Sequence, residues 1–296
     1  MPGKKERRIE TTQSRTAEMT CACRAASWME KRPAFHSGDW VAPLLLPRAM
    51  QGLFRIPPLR RLLTRMFGPE GVYEWVIART KYVDEVFESA RGFSQALLIG
   101  AGFDTRAIRF PIAERGLKVF ELDAWPTQEA KLRQYKARGI AVPSNLVLAA
   151  INFEKETIGE KLLESGFCRG TKTLVVAEGV FQYLKPDAAH ATLTAVAELV
   201  GVGSLLVFDY AHASALRGEG TAYGEKSMTQ GVSKYGESWQ FGLEEREVEP
   251  LLSKYAFRLL DLKSPRALEE KYFGGRSGRV SARINGTQSI VLAEKS

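Results

Sequence analysis

Five short apolar segments occupy the middle of the chain, and the intervals between them are long enough to hold helices. They are QALLIGAG (95–102), KVFELDA (118–124), NLVLAAINF (145–153), TLVVAEGVFQYL (173–184) and SLLVFDYA (204–211). Near-continuous apolar strands alternating with helix-sized connections form a mainly parallel, doubly wound sheet, because the crossover helices cover both of its faces. YAFRLLDLKS and ARINGTQSIVLAEK add two strands near the end, joined by a compact glycine-rich connection. The expected fold is α/β and Rossmann-like. A length of 296 residues accommodates one large domain of this kind with additions.

Residues 1–92 read mainly as helices interrupted at Pro33, Pro43, Pro47 and the Pro57-Pro58 pair. They form an expected N-terminal lid or side layer, ahead of a main domain over 93–296. Within them, YEWVIARTKYVDEVFESA (73–90) places Trp75, Val76, Tyr82, Val83, Val86 and Phe87 at helical separations, so one face turns inward. A polar, glycine-rich stretch at about 213–242 carries no strand pattern. It is either a cap over the carboxyl edge of the sheet or a surface connection.

Composition narrows the partners. With 45% hydrophobic and 26% charged residues the chain is an ordinary globular one. No run reaches the roughly 18 apolar residues of a membrane span, and the basic start MPGKKERRIE lacks the apolar core of a secretory signal. A soluble, cytoplasmic protein without a membrane partner is expected. The formal charge of +8 favours anionic partners, yet no zinc-finger spacing, RNA-binding aromatic signature or long basic tract points to nucleic acid. Cys21, Cys23 and Cys168 form neither a disulfide framework nor a zinc cluster, and His36, His190 and His212 lie far apart, so no metal is expected.

The sharpest local signal is LLIGAGFDTR (97–106) followed by VFELDA (119–124). A strand breaking into Gly100-Ala101-Gly102 lets backbone approach a ligand closely, and Asp123, 23 residues beyond Gly100, stands where a carboxylate accepts from two ribose hydroxyls. A dinucleotide fingerprint would have glycine at 105, but the chain has Thr105, and Asp104 is a poor neighbour for a diphosphate. That argues against an NAD-dependent oxidoreductase. S-adenosylmethionine suits the residues better: Asp104 for the cationic end, Asp123 for the ribose and Arg79 for the carboxylate. Each also has a plain structural reading, as turn residue or ion-pair partner.

These motifs stand in order with RTAEMTCACRAA (15–26), ARTKYVDE (78–85), VVAEGVFQYLKPD (175–187) and YGESWQFGL (235–243). Together they resemble the leucine carboxyl methyltransferase-like family, in its bacterial small-molecule O-methyltransferase branch. The resemblance implies a class I methyltransferase sheet of seven strands with the last antiparallel, an N-terminal helical addition and an inserted cap. It implies that Arg79 binds the methionyl carboxylate, that Gly100 belongs to the cofactor loop, that Asp123 contacts the ribose and that Glu178 lies by the amino-acid portion. Arg24 corresponds to a basic N-terminal cofactor contact. Relatives often carry aspartate after the third strand, whereas this chain has Asn152, which still offers an amide to the adenine edge. Phe153 either lines the adenine or fills the core, and one of Phe181 and Tyr183 is a candidate to face the cavity.

Methyl transfer requires an aligned nucleophile. An acceptor carboxylate is already ionised near neutral pH, whereas a phenol or alcohol more often needs a base. His212, after FDYA, is open to three roles: base, donor to an oxygen, or ordinary loop histidine. Tyr210, Glu237 and Trp239 are further candidates for substrate contact. The expected activity is transfer of a methyl group to a carboxylate or hydroxyl of a small-molecule acceptor. Methylation of a protein C-terminal carboxylate and a non-catalytic S-adenosylmethionine-binding scaffold are the alternatives.

Overall fold

The computed structural model describes residues 14–66, 68–112, 114–153, 155–228, 238–275 and 279–296. The strands are β1 (Gln95–Ile99), β2 (Lys118–Asp123), β3 (Leu146–Ala150), β4 (Thr173–Ala177), β5 (Leu205–His212), β6 (Gly242–Leu243), β7 (Phe257–Lys263) and β8 (Gln288–Lys295). They form one sheet in the order β3-β2-β1-β4-β5-β8-β7, with the two-residue β6 beside the end of β5. Among the described strands only β8 runs antiparallel to its neighbours, pairing Phe208 with Val291 on one side and Leu262 with Val291 on the other. Seven long strands with the last antiparallel match the expected class, and β6 is an eighth that the sequence did not suggest. Every residue of β1 and β4 is buried, which is why these central strands read as unbroken apolar runs.

Among the described residues, five α-helices precede the sheet: α1 (Arg15–Trp28), α2 (Ala42–Leu45), α3 (Arg48–Arg55), α4 (Pro57–Met66) and α5 (Val72–Ser89). Then α6 (Arg106–Arg109), α7 (Trp125–Arg138), α8 (Ile158–Glu164) and α9 (Pro186–Leu199) follow successive strands. Later come α10 (Ala213–Arg217), α11 (Glu245–Lys254) and α12 (Pro265–Phe273).

Alternation along the strands divides the interior in two. Leu98, Val119, Val176 and Val207 pack with Val76, Val83 and Phe87 of α5, and with Leu268 of α12. Their neighbours Leu97, Phe120, Val175 and Leu206 pack on the opposite face with Leu193 and Val196 of α9 and Leu252 of α11. Each such fully buried side chain contributes roughly 1.5–3 kcal/mol. A third cluster joins Cys21, Ala25, Val41, Leu45 and Phe54 to Tyr135 of α7, seating the N-terminal helices at one side of the sheet. Cys21 and Cys23 lie buried in the middle of α1, and burial pushes both thiols up to about 12, so neither is reactive.

Two expectations need correction. The fourth apolar segment is a strand only to Ala177, because the chain turns at Gly179 (φ 70°), whose N–H donates to Asp209 rather than continuing the ladder; Phe181–Tyr183 form a single 3₁₀ turn. The connection between the last two strands is not merely glycine-rich. PRALEEKYF forms α12, capped by the Ser264 hydroxyl accepting from Ala267 N at 3.3 Å.

Candidate active site

Strand order reverses between β1 and β4, so the connections after them diverge and leave a crevice at the carboxyl edge, the usual ligand position in open α/β sheets. A cavity of about 520 Å³ lies there, within the size range of small-molecule sites. Its floor is the loop after β1. Gly100 has φ 61°, and a Cβ at that position would lie 2.6 Å from Val180 Cγ2. Gly100→Ala is therefore expected to weaken ligand binding by about tenfold or more through a displaced loop. Adding Val180→Ala removes the collision but leaves the backbone strain, so recovery measured by titration is expected to be partial.

Asp123 ends β2. Gly102 N donates to its Oδ2 at 2.5 Å and Ala124 N to its Oδ1 at 2.7 Å. Burial nevertheless raises its pKa above the ordinary value, against the opposing effect of those two N–H groups. Each carboxylate oxygen accepts more than one hydrogen bond, so acceptor capacity remains toward the cavity.

Behind the cavity runs a buried chain of ion pairs. Arg24 Nε meets Asp39 Oδ2 at 2.8 Å, and Asp39 Oδ1 lies 3.4 Å from Arg109 Nε. Arg109 Nη2 and Arg106 Nε both reach Asp84 Oδ1 at 2.8 Å. Arg106 Nη1 contacts Asp104 and, at 3.0 Å, Glu178 Oε2. Arg79 closes the chain, with Nε 3.0 Å from Glu178 Oε1 and Nη1 2.8 Å from Asp209 Oδ2. Four arginines thus face five carboxylates (Asp39, Asp84, Asp104, Glu178 and Asp209), and Asp123 adds a sixth acid beside them. The excess negative charge, lodged where water is scarce, favours a cationic ligand.

Burial alone would raise the carboxyls of Asp104 and Glu178. The arginines outweigh it, holding Asp104 down at about 2 against an ordinary 3.8 and Glu178 below its ordinary range. A carboxyl lowered on folding contributes stability that is present above its unfolded pKa and lost as pH falls through the folded one. Thermal stability is expected to decline between about pH 4 and pH 2. Asp104→Asn is expected to flatten that decline in melts across the range, and an unchanged slope would remove Asp104 from this role.

Of the residues singled out from sequence, Arg24, Arg79, Gly100, Ala101, Gly102, Asp104, Asp123, Phe153 and Glu178 all line the cavity. Asn152 is not in its lining; its backbone N–H donates to Glu156 Oε2 at 2.7 Å. Tyr183 faces the cavity, whereas Phe181 stacks on Phe208 at 4.9 Å in the core. Tyr210 and His212 are also outside the lining. Both point to the far face of β5, where Tyr210 is fully buried and His212 Nε2 lies 2.8 Å from Ser289 Oγ. Burial pushes the Tyr210 phenol up to about 12 and the His212 imidazole down. Glu237 lies outside the described residues.

Several site residues went unnoticed in the sequence. Asp209 accepts from Gly179 N at 2.6 Å and from Gln288 Nε2 at 3.3 Å besides holding Arg79, and Arg106 joins three acids. The FDY triplet contained the clue, since Asp209 and Tyr210 must face opposite sides of the sheet. Trp75 and Met228 complete the apolar wall with Trp239. The segment carrying Trp239 is tied to the loop after β4, Gln240 N donating to Gln182 O at 2.7 Å.

Residues 17–197 match the family model described as leucine carboxyl methyltransferase. A protein of Bacillus subtilis (strain 168), named as a candidate S-adenosyl-L-methionine-dependent methyltransferase, is 29% identical over 225 residues, covering 72% of this chain and 74% of its own length. A similarly named protein of Parafrankia sp. (strain EAN1pec) is 30% identical over 237 residues, covering 78% and 72%. Among solved structures, a possible exported protein from Bordetella parapertussis superposes with a TM-score of 0.50 at 11% identity, over 96% of this chain and 97% of that one, a likeness of fold alone.

Proposed function

The chain belongs to the leucine carboxyl methyltransferase family, and we propose that it esterifies the carboxylate of a small-molecule acceptor. It is an S-adenosylmethionine-dependent methyltransferase. S-adenosylmethionine supplies a methyl group on a sulfonium whose sulfur leaves as a neutral thioether when an acceptor oxygen takes the methyl.

The residues present fit that cofactor. A glycine turn that a Cβ would obstruct gives close approach, and the surplus of buried carboxylates suits a sulfonium and an ammonium. Asp123 would hold the ribose hydroxyls and Phe153 would border the adenine, with Asp104 and Glu178 toward the cationic end. Arg79 spends Nε and Nη1 on Glu178 and Asp209, while its Nη2 makes no hydrogen bond to a described residue, so a donor is left for the methionyl carboxylate. Arg24 Nε and Nη2 are engaged by Asp39 and Phe103 O, which makes Arg24 an organiser of the loop after β1.

The observation that carries the acceptor class is the lining itself. Among the described residues it contains no histidine, lysine or cysteine, and its carboxylates are held by arginines or backbone N–H groups. An acceptor that needs no proton removed is therefore favoured, and a carboxylate is ionised near neutral pH. The protein's part is then to orient the oxygen and exclude water. Trp75, Val76, Met228 and Trp239 form an apolar wall suited to the body of such an acid, with Ser238 and Gln240 beside Trp239 in the same lining.

Incubation with methyl-labelled S-adenosylmethionine and a panel of apolar carboxylic acids, phenols and short peptides tests this reading. The expected product releases labelled methanol in mild alkali, as esters do. An alkali-stable ether formed on phenols would overturn the carboxylate assignment. Esterification of peptide α-carboxylates in preference to free acids would favour the second reading, a protein terminus, to which the family's description lends weight.

A further inference from the structure

From Trp40 to Pro69 the chain contains no aspartate or glutamate and five arginines. One of them, Arg60, is buried, its Nη1 donating to Phe54 O at 2.8 Å and its Nη2 lying 3.6 Å from Glu30. With the fully buried Phe54 it fastens α3 and α4 from below. The other four, Arg48, Arg55, Arg61 and Arg65, are exposed, and none forms an ion pair with a described residue.

Large apolar side chains lie exposed between them. Leu53 is 42% exposed, Ile56 48%, Leu62 56% and Met66 69%, a concentration within two short helices that solvation alone does not favour. Leu62 and Met66 are four residues apart in α4, as are Arg61 and Arg65, so each pair shares a helix face, while Ile56 follows Leu53 at the extended residue that joins α3 to α4. Exposed apolar side chains flanked by arginine, without a single acid, are complementary to a surface that is apolar beneath and anionic on top.

We propose that α3 and α4 dock on an anionic lipid membrane, lying in the headgroup plane with Leu53, Ile56, Leu62 and Met66 inserted and the arginines against lipid phosphates. No described helix is long and apolar enough to cross a bilayer, so the attachment is to the surface. It departs from the expectation, drawn from sequence, of a chain without a membrane partner. The cavity residues Pro69 and Val72 follow α4 within a few residues, so docking brings the cavity rim to the lipid. This rests on the helix surface and stands whether or not the acceptor is a carboxylate.

Flotation of the full chain with vesicles tests it, comparing phosphatidylcholine alone with phosphatidylcholine containing phosphatidylglycerol. Wild type is expected to float with the anionic vesicles, to remain behind with the neutral ones and to be released by salt. Arg61→Glu with Arg65→Glu is expected to weaken partition by about 10- to 30-fold, and Leu62→Ser with Met66→Ser to weaken it as well. All four positions are exposed, so melting temperature and S-adenosylmethionine affinity should stay at wild-type values, separating lost docking from lost folding. Absence of flotation with anionic vesicles overturns the proposal. So does arginine-dependent binding that the Leu62→Ser, Met66→Ser pair leaves intact, which would assign the patch to a soluble polyanion.

Discussion

Asp123→Ala is expected to lower the affinity for S-adenosylmethionine by about 100-fold or more. A hydrogen bond to a charged acceptor contributes about 1.5–3 kcal/mol, and in the proposed ribose subsite two hydroxyls would donate to this carboxylate. The substitution also frees Gly102 N and Ala124 N, the two donors that tie the loop after β1 to the end of β2. Asp123→Asn keeps an acceptor oxygen while losing the charge, and an intermediate loss is expected. Calorimetric titration measures both variants. Affinity within about threefold of wild type for Asp123→Ala would remove Asp123 from the ribose subsite, since under 1 kcal/mol is too little for two such bonds.

Arg106→Met produces the largest loss of stability expected from a single substitution in the site. The guanidinium is 3% exposed and joins Asp84, Asp104 and Glu178, so its removal strands three carboxylates in a region with little water. Breaking a buried ionic network by deleting one partner costs about 3–5 kcal/mol. For a chain of this length that corresponds to roughly 5–8 °C in melting temperature. Because the stranded carboxylates couple to Arg106, the Arg106→Met, Asp104→Asn double variant should recover part of the loss, which independent sites would not do. Urea unfolding of the single and double variants provides the cycle. A single-variant loss under about 1 kcal/mol would mean that the network is solvated and contributes little.

The glycine loop after β1 was legible because its signals are local. A strand, a glycine turn and an acid at the end of the next strand sit within thirty residues, and backbone geometry alone explains each. The ion-pair chain was not legible. Arg79 meets Asp209 across 130 residues and Glu178 across 99, and nothing in either neighbourhood announces the partner.

Parity along β5 explains the placement of Tyr210 and His212. A strand buried on both faces has no polar alternation to tell which side chains turn toward the cavity, and six of its eight residues are buried. The sequence pointed to the right strand end while leaving its two faces equivalent. The structure resolves them, with Asp209 toward Arg79 and Tyr210 toward Phe208. The helix PRALEEKYF was obscured by the glycines that follow it, although Ser264 and Pro265 are a regular helix start.

The proposed reaction requires that the crevice between β1 and β4 hold S-adenosylmethionine. Calorimetric titration of the wild-type chain with S-adenosylmethionine and with its demethylated product tests it most directly. The expected result is saturable one-to-one binding of both, at micromolar affinity, sharply weakened in Arg79→Ala and Asp123→Ala. A folded wild-type chain that binds neither would contradict the account, whatever its family membership.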